Sequence, residues 1–231
     1  MRSLSGLVNG LAKRAGYEVV PFPAEQLLRR SPDVLLDVGA NRGQFARAFR
    51  GRGFGGRIVS FEPLPHVFPL LAAAAAADPA WDVRHVALGA EDGEATIHVA
   101  SGDASSSLLP PADAMRDYAG FLEFGDTATV PVRRLDALFD DVVRPGERAV
   151  MKVDTQGFEG AVIEGAGAAL DRVDAVMLEV SFVPLYEGEA PAEAVMAQMR
   201  ARGFVPAYLA PAYTEPGTRR WVQADALFLR P

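Results

Sequence analysis

Four acidic residues stand where short apolar runs end: Asp37 within Asp33–Val38, Glu62 after Arg57–Phe61, Asp154 after Ala149–Val153, and Glu179 within Ala175–Val180. A carboxylate can hold a cation, accept a hydrogen bond from a hydroxyl, or take that hydroxyl's proton. Open α/β sheets bind ligands outside the carboxyl ends of their strands, so these acids would share one rim. Asp154 and Glu179 are the candidate catalytic carboxylates. His85, near the end of Trp81–Val86, is a third candidate, with a structural place at the rim as its alternative. The acids have plain structural roles open to them as well. Asp154 would equally cap a helix, and Glu159 would serve as a favourable charge in a helix's first turn. Lys152 lies two residues before Asp154 in the same run, on the same strand face, where it can pair with an acid or take part in chemistry.

The run Asp37-Val-Gly-Ala-Asn-Arg-Gly-Gln-Phe45 joins the first strand to the first helix. Glycine there lets the backbone approach a ligand or a neighbouring chain segment closely, and a helix start offers free N–H groups. Glu62 follows Gly43 by nineteen residues, about where an acid binds the ribose hydroxyls of a nucleoside. An ordinary tight turn and a surface glutamate would look the same. A dinucleotide fingerprint needs glycine at positions 39, 41 and 44, where this chain has Gly39, Asn41 and Gln44. The second of these glycines makes room for the pyrophosphate, so Asn41 speaks against a nicotinamide dinucleotide. A Walker lysine motif is absent as well. With no cysteine and three histidines (His66, His85 and His98) there is little material for a metal centre, and we expect none. The net charge of −7 argues against nucleic acid as a partner.

Strands and helices alternate around these residues. The apolar runs read as strands, separated by helices at Val67–Ala77, Glu159–Leu170 and Glu193–Arg202 and one following the glycine turn. This predicts an α/β fold: a mainly parallel sheet, helices on both faces, and a C-terminal antiparallel hairpin from Val205–Ala210 and Ala224–Leu229, with Pro211–Gln223 as loop. Residues 90–135 break the rhythm and read as a small β insertion in a domain spanning 33–231. Leu4, Leu7, Val8 and Leu11 recur at helical spacing and mark residues 1–32 as a helical appendage, expected to pack on the body or on a second copy as a homodimer contact. No apolar run is long enough to span a bilayer, and a cytoplasmic location is the default expectation.

Taken in order, Asp37-Val-Gly-Ala-Asn-Arg-Gly43, Phe61-Glu62-Pro63, Val86-Ala-Leu-Gly89, Ser105-Ser-Ser-Leu108, Lys152-Val-Asp-Thr-Gln-Gly-Phe-Glu159, Leu178-Glu-Val-Ser181 and Tyr186-Glu-Gly188 resemble the FkbM family of S-adenosylmethionine-dependent methyltransferases. The resemblance covers about residues 33–210. It implies a Rossmann-like sheet, S-adenosylmethionine as cofactor, and methylation of a hydroxyl on a sugar, glycan or natural product. It further implies cofactor contacts at Asp37, Gly39, Ala40, Asn41, Gly43, Phe45, Glu62, Pro63, Ala87, Leu88, Ser106 and Asp154. Two other readings stay open at this point: a nicotinamide-dependent reductase, and a cofactor-binding interaction module without catalysis.

Overall fold

The computed structural model describes residues 23–119, 122–215 and 217–231. The helix expected around Leu4–Leu11, and any dimer contact through it, lie outside the described residues. In chain order the elements are α1 (Pro23–Leu28), β1 (Val34–Val38), α2 (Gln44–Gly51), β2 (Arg57–Phe61), α3 (Phe68–Ala75), β3 (Trp81–Arg84), β4 (Ala87–Leu88), β5 (Gly93–Ala100), α4 (Asp113–Ala119), β6 (Phe124–Arg133), α5 (Leu135–Val142), β7 (Ala149–Val153), α6 (Glu159–Ala166), β8 (Val173–Ser181), α7 (Ala192–Ala201), β9 (Val205–Thr214) and β10 (Trp221–Leu229).

Seven strands form the main sheet in the order β3-β2-β1-β7-β8-β10-β9, and β4, β6 and β5 form a small second sheet. The first five strands of the main sheet run parallel, and β10 is antiparallel to both β8 and β9. β1 and β7 are buried along their whole length, as expected of strands covered on both faces. Residues alternate between two cores. Leu36, Val38, Met151, Val153 and Leu178 face α5, α6 and α7. Leu35, Ile58, Val150, Met177 and Leu227 face the side of α1, α2 and α3. α2 buries Ala46 and Phe49 in that second core and turns its arginines outward.

Several boundaries differ from the expectation. β3 stops at Arg84, because Val86 N–H turns back to the Arg84 carbonyl at 3.1 Å and carries His85 off the sheet. The expected helix Glu159–Leu170 divides into α6 and a 3-10 turn at Gly167–Arg172, where Gly167 takes a φ of +49°. β9 runs to Thr214 and β10 starts at Trp221, so the expected Pro211–Gln223 loop is mostly strand. α1 falls within the segment expected to be helical, whereas α4 and α5 were not anticipated. For α5 the signal was present, since Leu135, Phe139 and Val142 are its buried positions at helical spacing.

Candidate functional site

Gly39 takes a φ of +70°, and a Cβ placed there would lie 1.9 Å from the Asp154 carbonyl oxygen. The turn after β1 and the turn after β7 therefore touch through backbone alone, and the position requires glycine. Gly39 and Ala40 donate their N–H groups to the Phe61 carbonyl at 3.1 and 3.0 Å, fixing the turn against the end of β2. Asn41 is left-handed at φ +48°, and its N–H donates to Glu62 Oε2 at 2.7 Å. Leu64 N–H donates to the other oxygen, Glu62 Oε1, at 2.8 Å. Each Glu62 oxygen thus holds one backbone donor and keeps a lone pair. Burial pushes this carboxyl above its usual range, and the two N–H donors oppose that.

Below the turn, Asp37 is fully buried. Its Oδ2 accepts from the Ser60 hydroxyl at 3.3 Å, while Oδ1 has no hydrogen-bond donor and lies 3.7 Å from Lys152 Nζ. Lys152 donates to the Gly39 carbonyl at 3.0 Å and sits 3.4 Å from Asp154 Oδ2. Burial alone would lower the lysine's pKa, but the carboxylates of Asp154 and Asp37 outweigh it and raise the value. This ammonium ties both turns to the floor of the sheet. Asp154 does not cap α6, which starts later, at Glu159, without a side-chain cap. Gln156, left-handed at φ +56°, donates its amide to Asp154 Oδ1 at 2.9 Å and to Glu179 Oε2 at 3.1 Å. Gln223 donates to the same Glu179 oxygen at 2.8 Å. Burial, and then the charges of Asp154 and Glu159, push Glu179 well above its ordinary value. Glu159 accepts from Thr155 N–H at 2.6 Å, and burial raises it to about 7.

Two clefts meet at this junction. The first, about 540 Å³, is lined by Gly39, Asn41, Glu62, Pro63, Ala87, Leu88, Ser106 and Asp154 among the expected residues, with Val86, Ile97, Leu108 and Phe158 as apolar walls. A bridge closes over it: Asp103 of the Ser101–Ser107 loop binds Arg42 Nη2 at 2.6 Å and His66 Nε2 at 2.9 Å. The second cleft, about 960 Å³, lies beyond the Gly39–Asp154 contact and is lined by Ala40, Phe45, Lys152, Met177 and Asp225, sharing Gly39, Asn41, Ala104 and Asp154 with the first.

Four expected residues line neither cleft, and one of them, Glu179, is held by Gln156 and Gln223 at the end of β8. His85 is exposed, stacked on Phe68 at 4.5 Å between ring centroids, with Nε2 3.0 Å from the Pro63 carbonyl. It faces a separate hollow with Arg84 and Pro131, because β3 ends before it, and we assign it no chemistry. Asp37 lines neither cleft and acts through Lys152. Gly43, at φ +77°, packs against Trp81 and Leu71, where a side chain would collide, so its role is to seat α2. Sequence reasoning missed Asp103, Gln156, Gln223 and Asp225. For Asp225 a signal existed, an acid at an alternate position in the otherwise apolar run Ala224–Leu229. Among the described residues no three histidine, aspartate or glutamate side chains group as a metal centre would require.

A doubly wound parallel sheet with an antiparallel strand inserted near its far edge, and a glycine turn facing an acidic strand end, define a Rossmann-like methyltransferase. Residues 37–206 match the family model of the methyltransferase FkbM domain, and the chain belongs to that family. It is 27% identical over 202 residues to the 2-O-methyltransferase NoeI of Sinorhizobium fredii (strain NBRC 101917 / NGR234), covering 84% of this chain and 82% of that protein. Among solved structures, Aeropyrum pernix fibrillarin with natively bound S-adenosyl-L-methionine is similar at 11% identity and a TM-score of 0.49, over 96% of this chain and 72% of that one. WbdD is similar at 15% identity and a TM-score of 0.48 over 90% of this chain, which spans 38% of WbdD. Among the described residues no helix is long and apolar enough to cross a membrane.

Proposed function

We propose that the protein transfers a methyl group from S-adenosylmethionine to a hydroxyl oxygen of a sugar, a glycan or a natural product. The observation that carries this reading is Glu62, facing the first cleft with a lone pair left on each oxygen. Those lone pairs suit the two ribose hydroxyls of a nucleoside. The N–H of Asn41 is already given to Glu62, and a dinucleotide turn needs glycine at that position to make room for its pyrophosphate, which favours a phosphate-free cofactor over a nicotinamide dinucleotide. Val86, Leu88, Ile97, Leu108 and Phe158 supply apolar walls for the base, and Asp154 stands where a cofactor's ammonium or the acceptor's hydroxyl would meet it. The 2-O-methyltransferase relative supports oxygen as the methylated atom.

When bound, S-adenosylmethionine supplies a methyl group already activated by positive sulfur. What remains for the chain is to orient, exclude water and accept a proton. Glu62 and the Gly39–Asn41 turn orient the cofactor. The Arg42–Asp103–His66 bridge holds a loop over the cleft and limits the entry of water. The carboxylates at the ends of β7 and β8 take the acceptor side. Isotope-labelled S-adenosylmethionine incubated with methyl hexopyranosides and their 2-deoxy counterparts tests the reading. Label should appear on the hydroxylated compounds, be absent from the 2-deoxy ones, and be unaffected by a chelator. Transfer to amines alone, or loss of transfer in chelator with rescue by magnesium, would overturn the oxygen-directed, metal-free form of it.

A further inference from the structure

The carboxylates of the site differ in how much of their hydrogen-bonding capacity is already used. Glu62 holds two backbone N–H groups, Glu159 is held by Thr155, Glu179 by Gln156 and Gln223, and Asp154 by Gln156 and Lys152. Asp225 is different. It sits in β10 directly across from Glu179 in β8, and it faces the second cleft. Among the described residues no N–H or O–H donates to its carboxylate. It also lies beyond residue 206, where the match to the family model ends.

We propose that the second cleft is the acceptor site, that it takes an uncharged polyhydroxylated ring, and that Asp225 receives the proton of the hydroxyl being methylated. The proposal rests on the methyl-transfer reading above. The two clefts share Gly39, Asn41, Ala104 and Asp154 in their linings, so they adjoin at this junction. Phe45 and Met177 offer an apolar surface to the C–H face of a ring, while Asp154 and Asp225 offer acceptors to its hydroxyls. An anionic acceptor would find its cations engaged: Lys152 with Gly39, Asp154 and Asp37, and Arg52 with Glu25 at 3.3 Å. It would meet Asp154, Asp225 and, behind them, Glu179, all of like charge.

The charged groups around Asp225 are Glu179, across from it in β8, and Asp154 and Lys152 from the end of β7 and Arg52 just after α2, which line the same cleft. Burial raises Asp225 to about 6, the charge of Asp154 adds to this, and Lys152 opposes it. A base in that range is ionised at neutral pH and still holds a proton well enough to accept one in the transition state. The step balances simply. The acceptor oxygen forms its bond to the methyl carbon, the carbon–sulfur bond breaks with its electron pair left on sulfur, and the hydroxyl proton moves to Asp225.

Asp225→Asn keeps the shape and removes the base. We expect turnover to fall by roughly 100-fold or more, the scale of general-base loss. The acid limb of the pH–rate profile near pH 6 should vanish, with the calorimetric affinity for S-adenosylmethionine unchanged. Calorimetry of methyl hexopyranosides on the protein saturated with demethylated cofactor supplies a readout without turnover. Asp225→Asn and Phe45→Ala should each weaken that binding about tenfold, and hexuronic acids should not bind. Unchanged turnover with the acid limb retained would remove Asp225 from the proposal. Tighter binding of hexuronic acids than of hexosides to the wild type would overturn the uncharged class. Absence of cofactor binding by the wild type would instead count against the methyl-transfer reading itself. Should Asp225→Asn fail to fold, carboxyl NMR titration of the wild type decides: Asp225 must ionise near 6 and respond to added hexoside.

Discussion

The two clefts that meet at Asp154 draw on opposite halves of the sheet. The first is built by β1, β2 and β7, where parallel strands end together and their connecting turns hydrogen-bond to one another. There Glu62 is pinned by the backbone N–H groups of Asn41 and Leu64, and Asp37, beneath the cleft, is held by the side chains of Ser60 and Lys152. The second is walled by β8 and the antiparallel β10, and among the described residues no donor holds its Asp225. A carboxylate committed to backbone donors sets geometry, whereas one with open lone pairs can exchange a proton with a ligand. The difference separates a side that holds from a side that reacts.

The most severe break in that arrangement is Gly39→Val. Its side chain would need the space of the Asp154 carbonyl, at a φ that β-branched residues do not adopt. We expect cofactor binding below detection and a lowered Tm, and normal binding by a folded variant would remove the turn from the site. Asp154→Asn is next. It keeps the hydrogen-bonding reach toward Gln156 but withdraws the charge that faces Lys152 and both clefts. Turnover should fall roughly 100-fold with the fold intact, and near-normal turnover would show that the shared wall plays no part in chemistry.

Glu62→Gln is milder, because the amide oxygen still accepts one of the two N–H groups. Affinity for S-adenosylmethionine should drop about tenfold, equal to roughly 1.4 kcal/mol, while the pH–rate profile keeps its acid limb. A shifted limb would mean that the holding and reacting sides are not separate. The smallest effect on catalysis is expected from Glu159→Gln, which acts on stability. Glu159 is raised from 4.5 to about 7, first by burial and then by Asp154 and Glu189. The folded protein therefore keeps a proton that the unfolded chain gives up, and stability is lost as pH rises from about 4.5 to 7, by on the order of 3 kcal/mol. Denaturant melts across that range should show a shallower decline in Glu159→Gln, and an identical slope would contradict the buried protonated carboxyl.

The holding side was legible in the sequence because parallel strands write themselves as short continuous apolar runs. The acids at their ends and the glycine between them follow by position, as Asp37, Gly39, Glu62 and Asp154 did. The reacting side was harder to read. Asp225 and Gln223 gain their neighbours through an antiparallel register between β8 and β10, which no local pattern specifies. Gln156 depends on a left-handed turn, a conformation that non-glycine residues seldom adopt. His85 was misplaced for the opposite reason. The expected strand continued through Val86, while the observed one ends two residues earlier, so the imidazole leaves the rim for Phe68.

Calorimetry of the wild-type chain with S-adenosylmethionine, its demethylated product and NAD tests the central claim most directly. The account predicts that the first two bind at one site, compete with each other, and lose affinity together in Glu62→Gln, while NAD gives no heat. Binding of NAD with no response to either sulfur compound would contradict it.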